Sequence, residues 1–186
     1  TGEGWAMRTV VMGMGTVGTA LAKVLNGPGS AGLPGLEVIP RDAKDAHLSV
    51  DDVDVLNICF PYSAEFKAVV LEYAWLYNPR LIIIHSTVPV GTTRAIAHKL
   101  WGIGTALAKV LNCGVVHSPV NGIHDMLEEA LRLFPKPIGA LNAEGRKLAS
   151  EFFYIAGIHS VPFPSPEHTE LAKLFCTLRY GLDIMY

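Results

Sequence analysis

"VVMGMGTVG", residues 10–18, is an apolar, β-branched run that breaks into three glycines. Gly13, Gly15 and Gly18 are spaced G-x-G-x-x-G. Between a strand and a helix, the first glycine of that pattern permits the tight turn and the second lets a diphosphate approach the backbone. The third lets helix and strand pack closely. Residues 8–12 read as the strand, and Val17, Ala20, Leu21, Val24 and Leu25 fall on one helical face. The backbone of Met14, Thr16 and Val17 would then join the glycines in presenting N–H groups at the positive end of the helix, where phosphates bind. A glycine- and proline-rich stretch, residues 26–34, stops that helix.

Residues 36–39 read as a second strand, ending in "PRD". Asp42 stands 24 residues after Gly18, about where a ribose-binding carboxylate belongs. A carboxylate there accepts bonds from a ribose 2′-hydroxyl and repels a 2′-phosphate, which favours NAD over NADP; Arg41 beside it is the feature that would favour NADP. The alternatives are a ligand-free glycine turn, a solvated Asp42, or an S-adenosylmethionine-binding fold, which the loop alone also fits.

Further along, strands and helices alternate. "VDVLNICF", residues 53–60, is a strand ended by Pro61, after which Ser63 is positioned to cap a helix carrying Phe66, Val69, Val70, Tyr73 and Tyr77. Asn78-Pro79 stops it. "LIIIHSTVPVGTT", residues 81–93, puts a fully apolar strand directly before His85, Ser86 and Thr87, with a helix from about residue 92 to 101. Strands are expected at 114–117, around Ile138 and at 160–163. Helices are expected from Asp125 and Glu128 to Pro135 and from Asn142 to Gly157, with a long last helix from Ser165-Pro166. This alternation predicts an α/β, Rossmann-type doubly wound parallel sheet over residues 7–164, followed by a long C-terminal helix over 165–186 that begins a central or dimerisation region. Ligands of such sheets bind at the carboxyl ends of the strands, so Ser86 and Thr87 should face a cofactor or substrate.

Half of the chain is hydrophobic and 17% is charged, which suits strands covered on both faces. No stretch reaches the roughly 18 apolar residues of a membrane span. A net charge of −2 makes no electrostatic case for nucleic acid. Cys59, Cys113 and Cys176 are too widely spaced for a disulfide framework or a zinc site and read as reduced, buried thiols of a cytoplasmic protein. His117 and His124 do not form a helix-based ligand pair, so no metal is expected, and the seven histidines read as surface or loop residues. "TALAKVLN" occurs at 19–26 and again at 105–112; the second copy reads as a helix, not as a second phosphate site, and its identity has no physical account.

Taken together, "VVMGMGTVG", "VLNICFPYS", "HSTVPVGTT", "VVHSPV" and "TELAKLFCTLRYGLDI" resemble, in order, the motifs of the UDP-glucose/GDP-mannose dehydrogenase family, in its N-terminal NAD-binding domain and the start of its central helix. That family oxidises a sugar-nucleotide alcohol in two hydride transfers to NAD. The resemblance implies that Thr87 stands near the nicotinamide and helps hold a catalytic water, that Pro61 and Tyr62 line the cofactor cleft, and that Lys173 stabilises negative charge at the reacting carbon. There are departures. Val120 occupies the place of the family's loop glutamate, and Thr177 that of an asparagine after the lysine. The family's thiol nucleophile belongs to a later segment than this chain contains, and none of the three cysteines matches it. Full four-electron oxidation is therefore not expected.

The last helix carries an apolar stripe of Leu171, Leu174, Phe175, Leu178, Leu182 and Met185, which must be buried either on this domain or by a second chain. In the resembled family this helix makes the dimer, so a homodimer is the expected partner alongside a nucleotide-sugar substrate. Glu170, Lys173 and Thr177 share an adjacent face, either as an exposed Glu–Lys pair or with Lys173 facing a substrate cleft. The competing functional reading is an NAD-binding module without catalysis, or a partner subunit. Val120 and Thr177 favour it; Thr87 and Lys173 favour the enzyme.

Overall fold

The computed structural model describes residues 6–28, 35–45, 48, 50–102, 111–122 and 126–185. The strands are β1 (Met7–Met12), β2 (Leu36–Arg41), β3 (Val55–Ile58), β4 (Leu81–Ile84), β5 (Gly114–His117), β6 (Lys136–Ala140) and β7 (Ser160–Phe163). The helices are α1 (Thr16–Leu25), α2 (Phe66–Tyr77), α3 (Thr92–Leu100), α4 (Leu127–Leu133), α5 (Ala143–Ile155) and α6 (Pro166–Met185). One sheet runs in the order β2-β1-β3-β4-β5-β6-β7.

The apolar strands follow from burial on both faces. In β4, Leu81 and Ile83 point into a core shared with α1, α4 and α5, while Ile82 and Ile84 point into the core under α2 and α3. Val10 and Val11 of β1 divide in the same way. Period-2 alternation puts one apolar residue into each core in turn, so neither side of the strand stays polar.

The sheet is not wholly parallel. β6 pairs antiparallel with β5, and β7 runs parallel to β6, so the last two strands oppose the first five. The reason lies in the connection. A parallel partner needs a crossover that returns along the sheet. Here α4 has only seven residues and lies beside α1, and Lys136 starts β6 three residues after α4 ends. The chain re-enters the sheet near the edge it left, which reverses its direction.

Local chemistry explains most boundaries. Asn142 caps α5, accepting from Gly145 N at 2.8 Å, and Gly157 beyond it adopts φ 69°. Asn78 closes α2 in the left-handed conformation. Ser63 is not the side-chain cap of α2; its carbonyl accepts from Phe66 N at 3.2 Å, and Glu65 holds the cap position without a side-chain bond. α4 starts after Met126; the Asp125 expected to open it lies outside the described residues. Residues 103–110 are also outside, so the expected helix of the second "TALAKVLN" falls there, except for the buried Leu111 and exposed Asn112.

α6 departs from expectation. Its first turn is embedded, with Pro166, Thr169 and Glu170 buried, but the stripe beyond is bare. Phe175 is 60% exposed and Leu178 58%. This domain therefore does not cover the stripe. Cys176 is exposed there too, against the expectation of a buried thiol. No helix among the described residues is long and apolar enough to cross a membrane.

Candidate functional site

The carboxyl ends of β1, β3, β4 and β5 are level. Cys59 N donates to Met12 O at 2.8 Å, His85 N to Ile58 O at 2.9 Å and Ser118 N to Ile84 O at 2.9 Å. Gly13 N donates to Arg41 O at 2.9 Å, which brings the end of β2 to the same edge. The loops carrying Gly13 to Gly18, Asp42, Pro61, Tyr62, Ser86 and Thr87 therefore open on one side of the sheet. Lys173 reaches that edge from α6, its ammonium donating to Val120 O at 2.9 Å.

The three glycines divide the turn between them. Gly13 has φ 96°, and a Cβ there would stand 2.7 Å from Phe60 N. A Cβ on Gly18 would collide with Gly13 O and stand 3.3 Å from the Cys59 side chain. A Cβ on Gly15 would meet no atom within 4 Å outside its own turn. Two positions are thus closed by packing, and the middle one faces open space at the amino end of α1. A cleft of about 620 Å³ adjoins it, lined by Met14, Gly15, Thr16 and Lys23 on one side and Met126 and Glu128 on the other. Lys23 and Glu128 form an ion pair at 2.6 Å, which ties α4 to α1. Asp42, just past β2, is exposed and accepts from Ala43 N at 3.0 Å.

Thr87, Pro61 and Tyr62 are exposed on this edge. Ser86 is placed differently from Thr87. Its side chain is buried and its hydroxyl donates to Phe60 O at 2.6 Å, so it braces the loop after β3. The hydroxyl expected to look at a ligand is occupied by the Phe60 carbonyl.

Three sets of contacts join this loop, the start of α3 and the end of β5 to α6. Glu170 is fully buried; its carboxylate accepts from Gly91 N at 2.6 Å, Thr93 N at 2.8 Å and the Thr93 hydroxyl at 2.6 Å. It therefore caps α3 from another helix, and the exposed Glu170–Lys173 pair is not formed. Burial pushes its carboxyl pKa up, and the bonds from Thr93 and Gly91 oppose that shift. Arg94 grips Glu167 at 2.6 and 3.1 Å, and with Ser165 holds that carboxyl down to about 2. His117 lies between Thr169 Oγ1, 2.8 Å from Nδ1, and Ser86 O, 3.1 Å from Nε2. A carbonyl only accepts, so Nε2 carries the proton. Burial holds His117 down to about 4, hence neutral.

Beneath the edge runs a buried polar chain. Asn57 Nδ2 donates to Thr9 Oγ1 at 2.7 Å and Val10 O at 3.2 Å, and Asn57 Oδ1 lies 2.9 Å from His85 Nε2. His85 Nδ1 is 3.2 Å from Lys136 Nζ, which also donates to Ser118 O at 2.6 Å and Pro119 O at 2.9 Å. Burial lowers the Lys136 pKa to about 7 and the His85 pKa well below its ordinary value. His85 and His117 are thus interior residues, contrary to the surface or loop reading. Lys136, Glu170 and both histidines were not legible as a group. The one available signal was a lone lysine inside the apolar run "LFPKPIGA", residues 133–140.

The thiols at 59 and 113 are pushed up by burial, to about 12 and about 11, and are poor nucleophiles. Cys176 shares with Lys173, Asn121, Pro119 and Phe163 a second cavity of about 380 Å³.

No protein-family profile and no curated protein sequence matches the chain. Solved structures do. A GDP-mannose dehydrogenase of Pseudomonas aeruginosa superposes with a TM-score of 0.72 at 19% identity, covering 96% of this chain and 51% of that one. A UDP-D-ManNAc dehydrogenase of Pyrococcus horikoshii gives 0.69 at 19% identity, over 90% of this chain and 50% of that one. A 3-hydroxyisobutyrate dehydrogenase of Mycobacterium tuberculosis gives 0.58 at 16% identity, over 91% and 58%. The chain has the fold of these dehydrogenases and spans about half the length of the first two.

Proposed function

We propose that the chain is an NAD-binding oxidoreductase domain of the nucleotide-sugar dehydrogenase type, acting on the alcohol of a sugar nucleotide. The observation that carries this reading is the glycine turn, in which Gly13 and Gly18 are filled by close packing while Gly15 lies open. The residues present fit a dinucleotide. The space at Gly15 admits a diphosphate, the amides of Met14, Thr16 and Val17 supply donors at the amino end of α1, and Asp42 is free to accept from a ribose hydroxyl. Arg41, next to it, is the feature that would admit NADP instead.

When bound, the nicotinamide supplies a hydride acceptor. Pro61 and Tyr62 flank its cleft from the end of β3. Thr87 offers an exposed hydroxyl to hold a water, and Lys173 offers a cation to negative charge developing on the substrate oxygen. Burial holds the Lys173 pKa below its ordinary value. Cys59 and Cys113 are buried with their thiols pushed up, so neither fits the role of a thiol nucleophile. Those free thiols also support a cytoplasmic setting. The bare stripe on α6 supports a homodimer.

A second reading, NAD binding without catalysis, draws on Val120. It is 5% exposed where the resembled family has a glutamate, so only its carbonyl serves the site. Calorimetric titration with NAD, NADP and S-adenosylmethionine tests the cofactor. Absorbance of reduced cofactor, followed with NAD and a panel of UDP- and GDP-sugars, tests the chemistry. Saturable NAD binding with turnover is expected; NAD binding without turnover selects the second reading, and no NAD binding ends both.

A further inference from the structure

Lys136 stands between two prolines at the start of β6 and is 2% exposed. A buried ammonium is costly unless all its protons are bonded. The Asn57 amide nitrogen donates to Thr9 and Val10, so its oxygen can only accept, and His85 Nε2 must carry the proton toward it. His85 Nδ1 is then an acceptor. The three Lys136 protons go to His85 Nδ1, Ser118 O and Pro119 O. Two of these acceptors are consecutive carbonyls of the loop after β5. The next carbonyl in that loop, Val120 O, receives Lys173.

The loop has little else to hold it by its side chains. The Ser118 hydroxyl is buried without a partner, Pro119 has no N–H, and Val120 is apolar. We infer that Lys136 is a positioning residue that sets the loop of residues 118–120 and, through the Val120 carbonyl, the place of the Lys173 ammonium at the carboxyl edge. The charged and titratable groups around this pair are Cys59 after β3, His85 after β4, His117 of β5 and Cys176 of α6; the Phe153 ring of α5 lies 5.7 Å from Lys136 Nζ. The inference rests on the proposed function only for what Lys173 does.

Two variants test it, Lys136→Met and Lys136→Arg. Methionine is close in volume and removes the burial cost of the charge, so it should fold. Hydrogen exchange of the segment 118–122, and NMR titration of ¹³C-dimethylated Lys173 identified by Lys173→Arg, are the readouts. Lys136→Met should raise exchange of that segment about tenfold and return the Lys173 titration toward the ordinary lysine range, with the glycine turn unaffected. Lys136→Arg keeps the charge, but its planar fork cannot meet three acceptors placed for a tetrahedral ammonium, so it should also raise exchange. Unchanged exchange in a folded variant overturns the inference, and so does a titration shift without an exchange change, which would mark charge coupling alone. Should Lys136→Met fail to fold, Lys136→Arg decides in the same terms. Neither readout uses NAD or a sugar nucleotide, so failed NAD binding would end the proposed function and leave this inference standing.

Discussion

Gly15 and Gly18 differ by three positions and by what an added methyl group would meet. Gly15 has extended backbone, with φ −72° and ψ −166°, and open space where a Cβ would project. A valine there should leave the melting temperature within a degree or two and abolish NAD binding in calorimetry. An alanine at Gly18 must push against Gly13 O and should cost about 1–3 kcal/mol in urea unfolding. The titrating residues predict the acid limb. His117 at about 4 sits below its ordinary 6.5, so between those values the unfolded chain binds the extra proton and stability falls as pH drops. Glu167 at about 2 adds a second loss below its ordinary 4.5. Lys136 at about 7 acts at the other end, with stability rising with pH from there toward 10.5. Just above pH 4.5 the raised Glu170 carboxyl opposes this trend, because there the folded chain binds the extra proton. Urea midpoints measured from pH 3 to 9 should therefore rise overall with a shallower stretch just above 4.5, and His117→Gln should flatten the rise between 4 and 6.5; an unchanged profile in that variant would refute the neutral His117.

At the scale of elements, two caps of different origin can be compared. Asn142 caps α5 from the adjacent sequence position, and Asn142→Ala should cost about 1 kcal/mol. Glu170 caps α3 from across the fold. Glu170→Ala would leave Gly91 and Thr93 N–H groups without their acceptor and should cost about 1–3 kcal/mol, with raised hydrogen exchange both in α3 and in the first turn of α6. A loss confined to α6 would contradict the shared joint. The first cap was readable from "LNAEG", residues 141–145, because a capping side chain lies within three residues of the amide it serves. The second was not, because 77 residues separate donor and acceptor.

For the molecule as a whole, the exposed α6 stripe is the apolar surface that the proposed homodimer would bury. Leu178→Glu should change stability by less than about 0.5 kcal/mol, since this domain does not pack on that residue. If the proposed homodimer forms through this stripe, the same change should convert it to a monomer in sedimentation velocity, and an unaltered sedimentation coefficient would exclude the stripe as the self-association surface. The sheet's reversal also belongs to this scale. Local patterning placed every strand, yet direction was set by where a seven-residue α4 could pack, beside α1.

What the residues determined alone were features whose causes are local: period-2 apolar strands, the glycine turn, the Asn142 cap, the stops at Asn78 and Gly157. Each is decided by dihedral limits or by partners a few positions away, so the order of elements and the open Gly15 could be read in one pass. Tertiary structure decided the orientation of β6 and β7, the burial of Glu170, His117 and Lys136, and the occupation of the Ser86 hydroxyl by Phe60 O. Those depend on which distant groups are left without water and must find each other, and hydrogen bonds across 17 to 79 residues leave no periodic trace in the chain.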